Sequence, residues 1–499
     1  MLFNSYEFLL VFCPAVLTAV YLLRRFGSHW IELVLLLAWL LFYAWWDVRF
    51  VPLLLLSVAF NYAGALLVER TRSRLALSAI IALNLCVLGY FKYLGFFAGI
   101  ASGVLPWQPW NVTLMAVALP LGISFFTFHQ IGYQIDRWRG QAERHNFLDY
   151  ALFVTFFPQL IAGPIVRQYE FLPQLREFAD RIGAKNLLIG LTIFSIGLFK
   201  KVIFADSFAL YATPVFDSTA DGVAVDGLTA WLGVLAYTFQ IYFDFSGYSD
   251  MAIGLARMVG IDLPINFNAP YRSTSITDFW RRWHITLGRF FRDYLYFPIG
   301  GSHVSPPRQF ANLLTVMLLC GLWHGAAWTF VVWGGLHGIA LSVHRLWLRL
   351  FPTRRPRNVA WRAGAWVITF LFVVVTWVFF RADNLETAMA LLTAMMSPSI
   401  YGTPTEIKEL GWDWGFDRRL VGWTAIFLAL AWVLLTPTTQ ELMRLTMHGS
   451  MYQPYIERAS TFFDAAWKPT TGWVIGSALV FAAAFLGLSR ATEFIYYNF

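Results

Sequence analysis

A histidine occupies the middle of an apolar stretch of this sequence. The motif GLWHGAA at 321–327 follows a run of apolar residues that begins near position 310. With a helical rise of about 1.5 Å per residue, His324 lies roughly 21 Å along that run, inside a hydrocarbon layer of ~30 Å. Ionisable groups at that depth are costly and are functional candidates by default. The alternative is that Gly321 and Gly325 form a small-residue packing seam, in which His324 only hydrogen-bonds a neighbouring helix.

A second histidine lies within a cluster of arginines. The segment SITDFWRRWHITLGRFFR at 275–292 begins like a capping box, with Ser275 and Asp278 three residues apart. Its periodicity predicts one amphipathic helix at the membrane interface, with His284 at the edge of the apolar face. The arginines of the polar face either contact anionic lipid head groups or hold the phosphates of a donor or acceptor. These residues are Arg281, Arg282, Arg289 and Arg292.

Two carboxylates interrupt another apolar segment. The run YFDFSGYSDM at 242–251 contains Asp244 and Asp250, with a glycine between them. Both are costly to bury in a membrane. They orient a histidine, pair with Arg281 or Arg282, or lie near a hydrated helix break, and the sequence leaves these alternatives open.

The motifs of several other chemistries are missing. The sequence contains no GxSxG, HExxH, GxGxxG or GxxxxGK[ST], which removes the usual signatures of serine hydrolysis, zinc proteolysis and nucleotide binding. His337 and His344 have no nearby cysteine or carboxylate, so we expect packing roles for them and no metal site. The remaining possibility is a histidine that acts as a general base. It removes the proton of a hydroxyl while that hydroxyl attacks a thioester, and no covalent acyl-enzyme is needed. This role requires a neutral imidazole, which burial favours.

The composition is that of an integral membrane protein. Of the 499 residues, 58% are apolar and only 13% are charged, whereas a soluble chain needs roughly 25% charged residues to cover its surface. The mean hydropathy is +0.57, and we expect lipid as the surrounding medium. The formal charge of +8 does not indicate a nucleic-acid partner, because the basic residues punctuate apolar segments as loop anchors do.

About twelve apolar stretches approach the ~20 residues needed to cross a bilayer. Alternate threading collects the arginine-rich loops on one side, which the positive-inside rule makes cytoplasmic. The stretch 147–166 contains prolines and a glycine between two basic loops, so we expect it to be re-entrant. The segment 381–419 is predicted to be an extracytoplasmic loop. The apolar stretches are 5–23, 30–46, 51–68, 75–92, 113–135, 187–205, 227–258, 310–331, 332–350, 363–380, 420–436 and 472–490.

Several of these motifs resemble those of a known family. The resemblance is most specific in LPLGISFFTFHQIGYQID at 119–136, YFDFSGYSDMAIGLA at 242–256, FWRRWHITLGRFFRDYLYFPIGG at 279–301 and GLWHGAAWTFVVWGGLHG at 321–338. In these stretches the chain is similar to the membrane-bound O-acyltransferases, and within them to the membrane subunits of bacterial alginate O-acetylation. The resemblance implies an all-α polytopic membrane protein, with a ring of about 11–12 transmembrane helices and re-entrant segments around a central funnel or tunnel.

The same resemblance sets the expected domain organisation and catalytic residues. It implies one integral membrane domain over 1–499, with the family core in 1–380 and less diagnostic helices in 420–499. The histidine of its Trp-His-Gly motif corresponds to His324, which is expected to be catalytic, and that of its Arg-Trp-His motif corresponds to His284. From the residues themselves we expect substrate contacts from Asp244, Arg281, Arg282, Arg289 and Trp323.

We therefore expect an acetyltransferase of the bacterial inner membrane, surrounded by lipids and without a tightly bound cofactor. Acetyl-CoA is the expected donor, reaching the site from the cytoplasm. The expected acceptor is an extracytoplasmic polysaccharide such as alginate, reached through a periplasmic acetyltransferase-type partner protein and the polysaccharide secretion machinery. D-alanyl transfer to an envelope polymer, a transporter and a non-catalytic scaffold remain alternatives, although the matching broken segments of a transporter are missing.

Overall fold

The structure is a computed structural model, and its regular elements in the described residues are all helical. This confirms the predicted all-α class. Contacts divide the chain into two compact units, which are described separately. The residues that the structure describes are 1–104, 118–141, 143–161, 163–352, 358–397, 418–443, 466–490 and 495.

The first unit comprises residues 1–198, 248–265 and 468–482. A π-helical turn, Phe8–Phe12, leads directly into its first α-helix. Its helices are α1 Cys13–Leu23, α2 Ser28–Asp47, α3 Val51–Thr71, α4 Arg74–Val104, α5 Ile123–Arg139, α6 Phe147–Thr155, α7 Phe157–Leu160, α8 Gln168–Phe171, α9 Phe178–Arg181, α10 Ala184–Phe199 and most of α21 Thr471–Gly487.

Buried amides hold three of these helices together. Asn61 of α3 donates to Asn84 of α4 at 2.9 Å and to Gln130 of α5 at 2.7 Å. Gln134, one turn further along α5, donates to the carbonyl oxygen of Asn61 at 2.6 Å. In lipid the hydrophobic effect does not drive helices together, so hydrogen bonds of this kind contribute to their association. They therefore specify how these three apolar helices pack.

The second unit comprises residues 199–247, 266–467 and 483–499, and it contains all the predicted site residues. Two π-helical segments, Lys200–Ala205 and Arg292–Tyr296, continue the helices that precede them. The α-helices of this unit are α11 Asp206–Ala220, α12 Gly227–Met258 (to Gly247), α13 Ile276–Arg282, α14 Ile285–Phe291, α15 Pro306–His324, α16 Trp328–Leu350, α17 Val359–Arg381, α18 Leu385–Met396, α19 Arg418–Leu435 and α20 Thr439–Leu442.

Six helical stretches of the described residues are long and apolar enough to cross a membrane, which supports a polytopic membrane protein. One of the six, Ser28–Thr71, contains two of the predicted spans, 30–46 and 51–68. Polar residues interrupt the apolar sequence of α12, α15 and α16, so the number of about 11–12 spans stays a prediction. The six stretches are Phe8–Phe26, Ser28–Thr71, Arg74–Ser102, Ala184–Ala220, Val359–Arg381 and Arg418–Leu435.

Two predicted segments differ from a simple span or loop. The stretch 147–166 contains α6 and α7, broken at Phe156, and its described residues after α7, at 161 and 163–166, are not helical. Its re-entrant course through a membrane stays a prediction. The segment 381–419, predicted to be a loop, contains α18 at Leu385–Met396. The remainder of that segment lies largely outside the described residues, at 398–417.

The prediction that 275–292 forms one continuous amphipathic helix is wrong. Its start is confirmed, because the Ser275 hydroxyl accepts a hydrogen bond from the Asp278 amide. The helix ends at Arg282, and a second helix begins at Ile285. His284, at the junction, has a φ of +43°, in the left-handed region that non-glycine residues rarely occupy. The break therefore turns His284 into the interior, where it is completely buried.

The helices α15 and α16 form a close-packed pair. A Cβ atom on Gly321 of α15 would overlap the carbonyl oxygen of Phe330, and one on Gly334 of α16 would overlap that of Met317. A Cβ atom on Gly325 would overlap the Phe330 ring. The small-residue seam considered as an alternative for Gly321 and Gly325 is therefore present, and it leaves the role of His324 open. The seam fixes the end of α15, where His324 lies.

Candidate active site

His324 is the last residue of α15 and is surrounded by aromatic rings. It is 2% exposed, and α15 ends there because Gly325 adopts an extended conformation. The ring centroid of His324 lies 4.9 Å from that of Trp323, 5.3 Å from that of Trp333 and 5.1 Å from that of Phe380. Trp333 and Phe380 come from α16 and α17, so three helices build the surroundings of this imidazole.

His284 lies beside His324, although 40 residues separate them in the sequence. The two ring centroids are 6.4 Å apart, with an angle of 56° between the planes. Trp323 neighbours both rings, at 6.2 Å from His284. Phe245 of α12 contacts His284 edge-on at 4.7 Å. The structure thus brings together the two predicted catalytic histidines and one predicted substrate-binding residue.

Burial favours the neutral form of His284. The residue lies in the junction between α13 and α14, outside the long apolar helices, and burial lowers the pKa of its imidazole to about 3. A neutral imidazole has one N–H donor and one lone-pair acceptor. Nδ1 lies 3.0 Å from Oδ1 of Asn266, whereas the buried Nε2 has no hydrogen-bond partner among the described residues.

Asn266 is a site residue that the sequence analysis missed. It is completely buried, and its carbonyl oxygen accepts a hydrogen bond from the Ile285 amide at 3.0 Å. Its sequence context, PINFN at 264–268, places two amides in an apolar surrounding, and that is the signal that could have identified it. A buried amide needs partners, but the sequence does not show that His284 is one of them.

A cavity of about 580 Å³ is lined by the residue that follows His284 and by a residue one helical turn before His324. Arginines dominate its charge, because five of them line it together with a single carboxylate, Asp278. Asp278 pairs with Arg282 at 2.9 Å. The structure confirms that the three predicted arginines lie together, and it adds two that were not predicted as ligands. The five are Arg281, Arg282, Arg289, Arg292 and Arg345.

The inner wall of the arginine cavity is apolar and leads toward the histidines. Val316, Met317 and Cys320 of α15 line it, and Cys320 precedes His324 by one helical turn. Ile285, the residue directly after His284, lines the cavity as well. Neither histidine is itself a lining residue. The cavity therefore combines five arginines with an apolar wall to which close chain neighbours of both histidines, Ile285 and Cys320, contribute.

The sequence of the chain matches a known protein family. The sequence model of MBOAT, the membrane-bound O-acyltransferase family, matches residues 75–386. The chain belongs to the membrane-bound O-acyltransferase family. The matched range contains both histidines, the five arginines of the cavity and Asn266. Membership makes the chain an O-acyltransferase and confirms the predicted enzyme class.

Relatives of this acyltransferase modify different envelope polymers. It is 44% identical over 428 residues to a peptidoglycan O-acetyltransferase of Helicobacter pylori, covering 79% of this chain and 80% of the relative. It is 42% identical over 448 residues to the probable alginate O-acetylase AlgI of Pseudomonas aeruginosa, covering 87% and 81%. A teichoic acid D-alanyltransferase of Streptococcus thermophilus is 30% identical over 239 residues, covering 46% and 57%.

Asp244 has a different environment in the acyltransferase from the one proposed for it. It is 1% exposed and pairs with Lys201 at 2.9 Å, and Lys201 also pairs with Asp206 at 2.6 Å. The second Asp244 oxygen accepts a hydrogen bond from the Ile495 amide at 2.9 Å. Nδ1 of His284 is held by an amide and not by this carboxylate. Substrate binding by Asp244 stays a prediction.

The remaining candidate histidines of the acyltransferase take part in hydrogen bonds between helices. Trp280 donates to Nδ1 of His337 at 3.2 Å, and Nε2 of His337 lies 3.1 Å from the Thr376 hydroxyl. Both nitrogens of His337 therefore have partners. His344 contacts the Thr277 hydroxyl at 2.7 Å. The described residues contain no cluster of three or more metal-ligating side chains.

Proposed function

We propose that this O-acyltransferase moves an acetyl group from acetyl-CoA on the cytoplasmic side of the bacterial inner membrane toward an extracytoplasmic polysaccharide. The observation that carries the proposal is the arginine cavity, whose apolar inner wall ends one helical turn from His324. Two relatives with O-acetylation in their names support the acetyl group and an envelope polysaccharide as the acceptor class.

The arginine cavity has the features that a thioester donor with phosphate groups requires. Guanidinium groups bind phosphates with paired, charge-assisted hydrogen bonds. Arg281 and Arg345 have no acidic partner within 4.0 Å among the described residues and are available for such a ligand. Val316 and Cys320 would then contact the uncharged arm that carries the thioester. In this arrangement acetyl-CoA is a substrate and not a resident cofactor.

The proposed chemistry uses His324 as a general base. It accepts the proton of the acceptor hydroxyl while the hydroxyl oxygen forms a bond to the thioester carbonyl carbon. The carbon–sulfur bond then breaks, and the imidazolium returns the proton to the departing thiolate. The products are an O-acetyl ester and a free thiol, and no acyl-enzyme forms. Aromatic neighbours shield His324 from bulk water, which limits hydrolysis of the donor.

The acceptor side of the proposal includes a partner protein. A periplasmic acetyltransferase-type protein receives the acetyl group and completes the transfer to the polymer, together with the secretion machinery. Alginate and other exopolysaccharides are the proposed polymers. The similarity to a teichoic acid D-alanyltransferase supports a second candidate, D-alanyl transfer to an envelope polymer. Assays with labelled acetyl-CoA and with a labelled D-alanyl donor distinguish the two candidates.

The test compares H324A with the wild type in cells that lack the endogenous chain. Mass spectrometry measures the O-acetyl content of the surface polysaccharide, and immunoblotting of membranes measures insertion. H29A is the control, because His29 is an exposed histidine of the first unit. We expect H29A to restore acetylation and H324A to insert normally without restoring it. Wild-type acetylation by H324A would exclude His324 as the base, and no acetylation by the wild type would exclude the polysaccharide role.

A further inference from the structure

The side-chain oxygen of Asn266 is the centre of a buried hydrogen-bond cluster around His284. Oδ1 accepts a hydrogen bond from the Thr286 hydroxyl at 2.9 Å and from the Thr286 amide at 3.3 Å. The same oxygen lies 3.0 Å from Nδ1 of His284. All three residues are at most 2% exposed. The cluster connects positions 18 to 20 residues apart in the sequence.

The cluster determines which ring nitrogen of His284 carries the proton. A backbone amide can only donate, so the Asn266 atom that faces the Thr286 amide must be the oxygen. That oxygen can only accept, so Nδ1 of His284 must be a donor. In a neutral imidazole the other nitrogen, Nε2, then has a lone pair and no hydrogen. The geometry therefore selects one tautomer of His284.

This arrangement differs from that of the other buried histidine nearby. Trp280 donates to Nδ1 of His337, so His337 carries its proton on Nε2 and donates it to Thr376. Both nitrogens of His337 are thus used within the fold. In His284 the lone pair of Nε2 is buried and has no partner among the described residues. A buried acceptor without a partner costs free energy, which is consistent with a role when substrate is bound.

Asn266 also holds the backbone of His284. The left-handed φ of +43° is unfavourable for a residue with a side chain. The carbonyl oxygen of Asn266 accepts the Ile285 amide at 3.0 Å, and the carbonyl oxygen of His284 accepts the Gly288 amide at 3.0 Å. These bonds fix the junction on both sides of the imidazole. One residue thus controls both the conformation and the tautomer of His284.

We propose that Asn266 is a positioning residue that makes His284 a hydrogen-bond acceptor for His324. One bridging water or hydroxyl accepts a hydrogen bond from the N–H of His324 and donates one to the unprotonated Nε2 of His284. The other nitrogen of His324 is then left to act as the base. Two hydrogen bonds in series, each of about 2.8 Å, fit the 6.4 Å between the ring centroids. The inference rests on the proposed acetyl transfer.

The same geometry predicts how substitutions at position 266 change the enzyme. N266A removes the acceptor for Nδ1, so His284 is free to place its proton on Nε2 and donate. We expect kcat to fall at least tenfold with little change in KM for acetyl-CoA. N266D keeps an acceptor and adds a negative charge, which raises the pKa of His284. Protonation of Nε2 then inactivates the enzyme at a higher pH than in the wild type.

The experiment measures transfer rates between pH 5 and pH 8 in inverted membrane vesicles that retain the periplasmic partner protein and the polysaccharide, with labelled acetyl-CoA added outside. N312A is the matched control, because Asn312 is a buried asparagine that donates to Ile299 and Gly301 carbonyls and does not line the cavity. Rates are expressed per folded enzyme. We expect N266D to keep activity near pH 8 and to lose it at a higher pH than the wild type.

The outcomes separate this inference from the proposed function. If the transfer rate of N266D falls at the same acidic pH as that of the wild type, the role of Asn266 is overturned, even if N266A fails to fold. A wild-type kcat in N266A overturns it as well. If N312A also loses activity at a higher pH than the wild type, the change reflects a general loss of packing and the inference is wrong. Wild-type activity in H324A instead overturns the proposed base, and with it the premise of the inference.

Discussion

Cys320 and His324 lie four residues apart on α15, so one helical turn of about 6 Å separates a wall of the arginine cavity from the predicted base. Both side chains are 2% exposed. The backbone between them contains Gly321, which packs directly against α16. One short stretch of α15 therefore joins the wall of the cavity to the predicted base.

A larger side chain at position 320 should block the donor. C320F places a phenyl ring at the inner end of the cavity, next to Val316 and Met317. We expect the KM for acetyl-CoA to rise at least tenfold, measured as the rate of thiol release at varied donor concentration. C86F is the control, because Cys86 is exposed on α4. Unchanged donor kinetics in C320F would show that the donor does not use this cavity.

Removing two arginines should weaken donor binding without changing the chemical step. Hydrogen bonds to charged groups contribute about 1.5–3 kcal/mol each, so we expect R281A combined with R345A to raise the KM for acetyl-CoA at least tenfold. The kcat should stay close to that of the wild type. R349A is the control, because Arg349 donates to Gln309 and does not line the cavity. A lower kcat with an unchanged KM would contradict a donor-binding role.

The glycine seam between α15 and α16 should be sensitive to a single methyl group. In G321A the new Cβ meets the Phe330 carbonyl oxygen, which is backbone and cannot move aside. Overpacking of this kind costs about 1–3 kcal/mol. We expect a lower thermal unfolding temperature in detergent and reduced transfer, since the end of α15 shifts. G335A should behave as the wild type, because its Cβ would be in ordinary contact with Leu318.

Loss of Lys201 should destabilise the second unit strongly. K201M leaves the buried carboxylates of Asp206 and Asp244 without their cation. Breaking a buried pair in this way costs about 3–5 kcal/mol. K200M is the control, because Lys200 is the adjacent lysine, is half-buried and donates to the Thr439 hydroxyl at 2.8 Å. Equal unfolding temperatures for K201M and K200M would show that the ion pairs contribute nothing specific.

Composition and local motifs were sufficient to establish the class of this protein and to predict most of the residues of its candidate site. The apolar composition predicted a membrane protein, and the depth of His324 in its apolar run identified the candidate base. The Arg-Trp-His segment identified His284 and the arginines, although its helical periodicity predicted one continuous helix. These features depend on residues that are close in the sequence, and periodicity and motifs report on such neighbours directly.

Only the folded structure shows which residues distant in the sequence contact one another. The sequence did not indicate that Asn266 holds His284, that Lys201 pairs with Asp244, or that Arg345 joins the cavity. Each pairing joins different elements, and its geometry depends on how the intervening helices pack. The break at His284 has the same origin, because the hydrogen bonds that Asn266 accepts stabilise a left-handed residue that local propensity disfavours. Tertiary contacts thus break the helix at His284, where the periodicity of the sequence predicts that it continues.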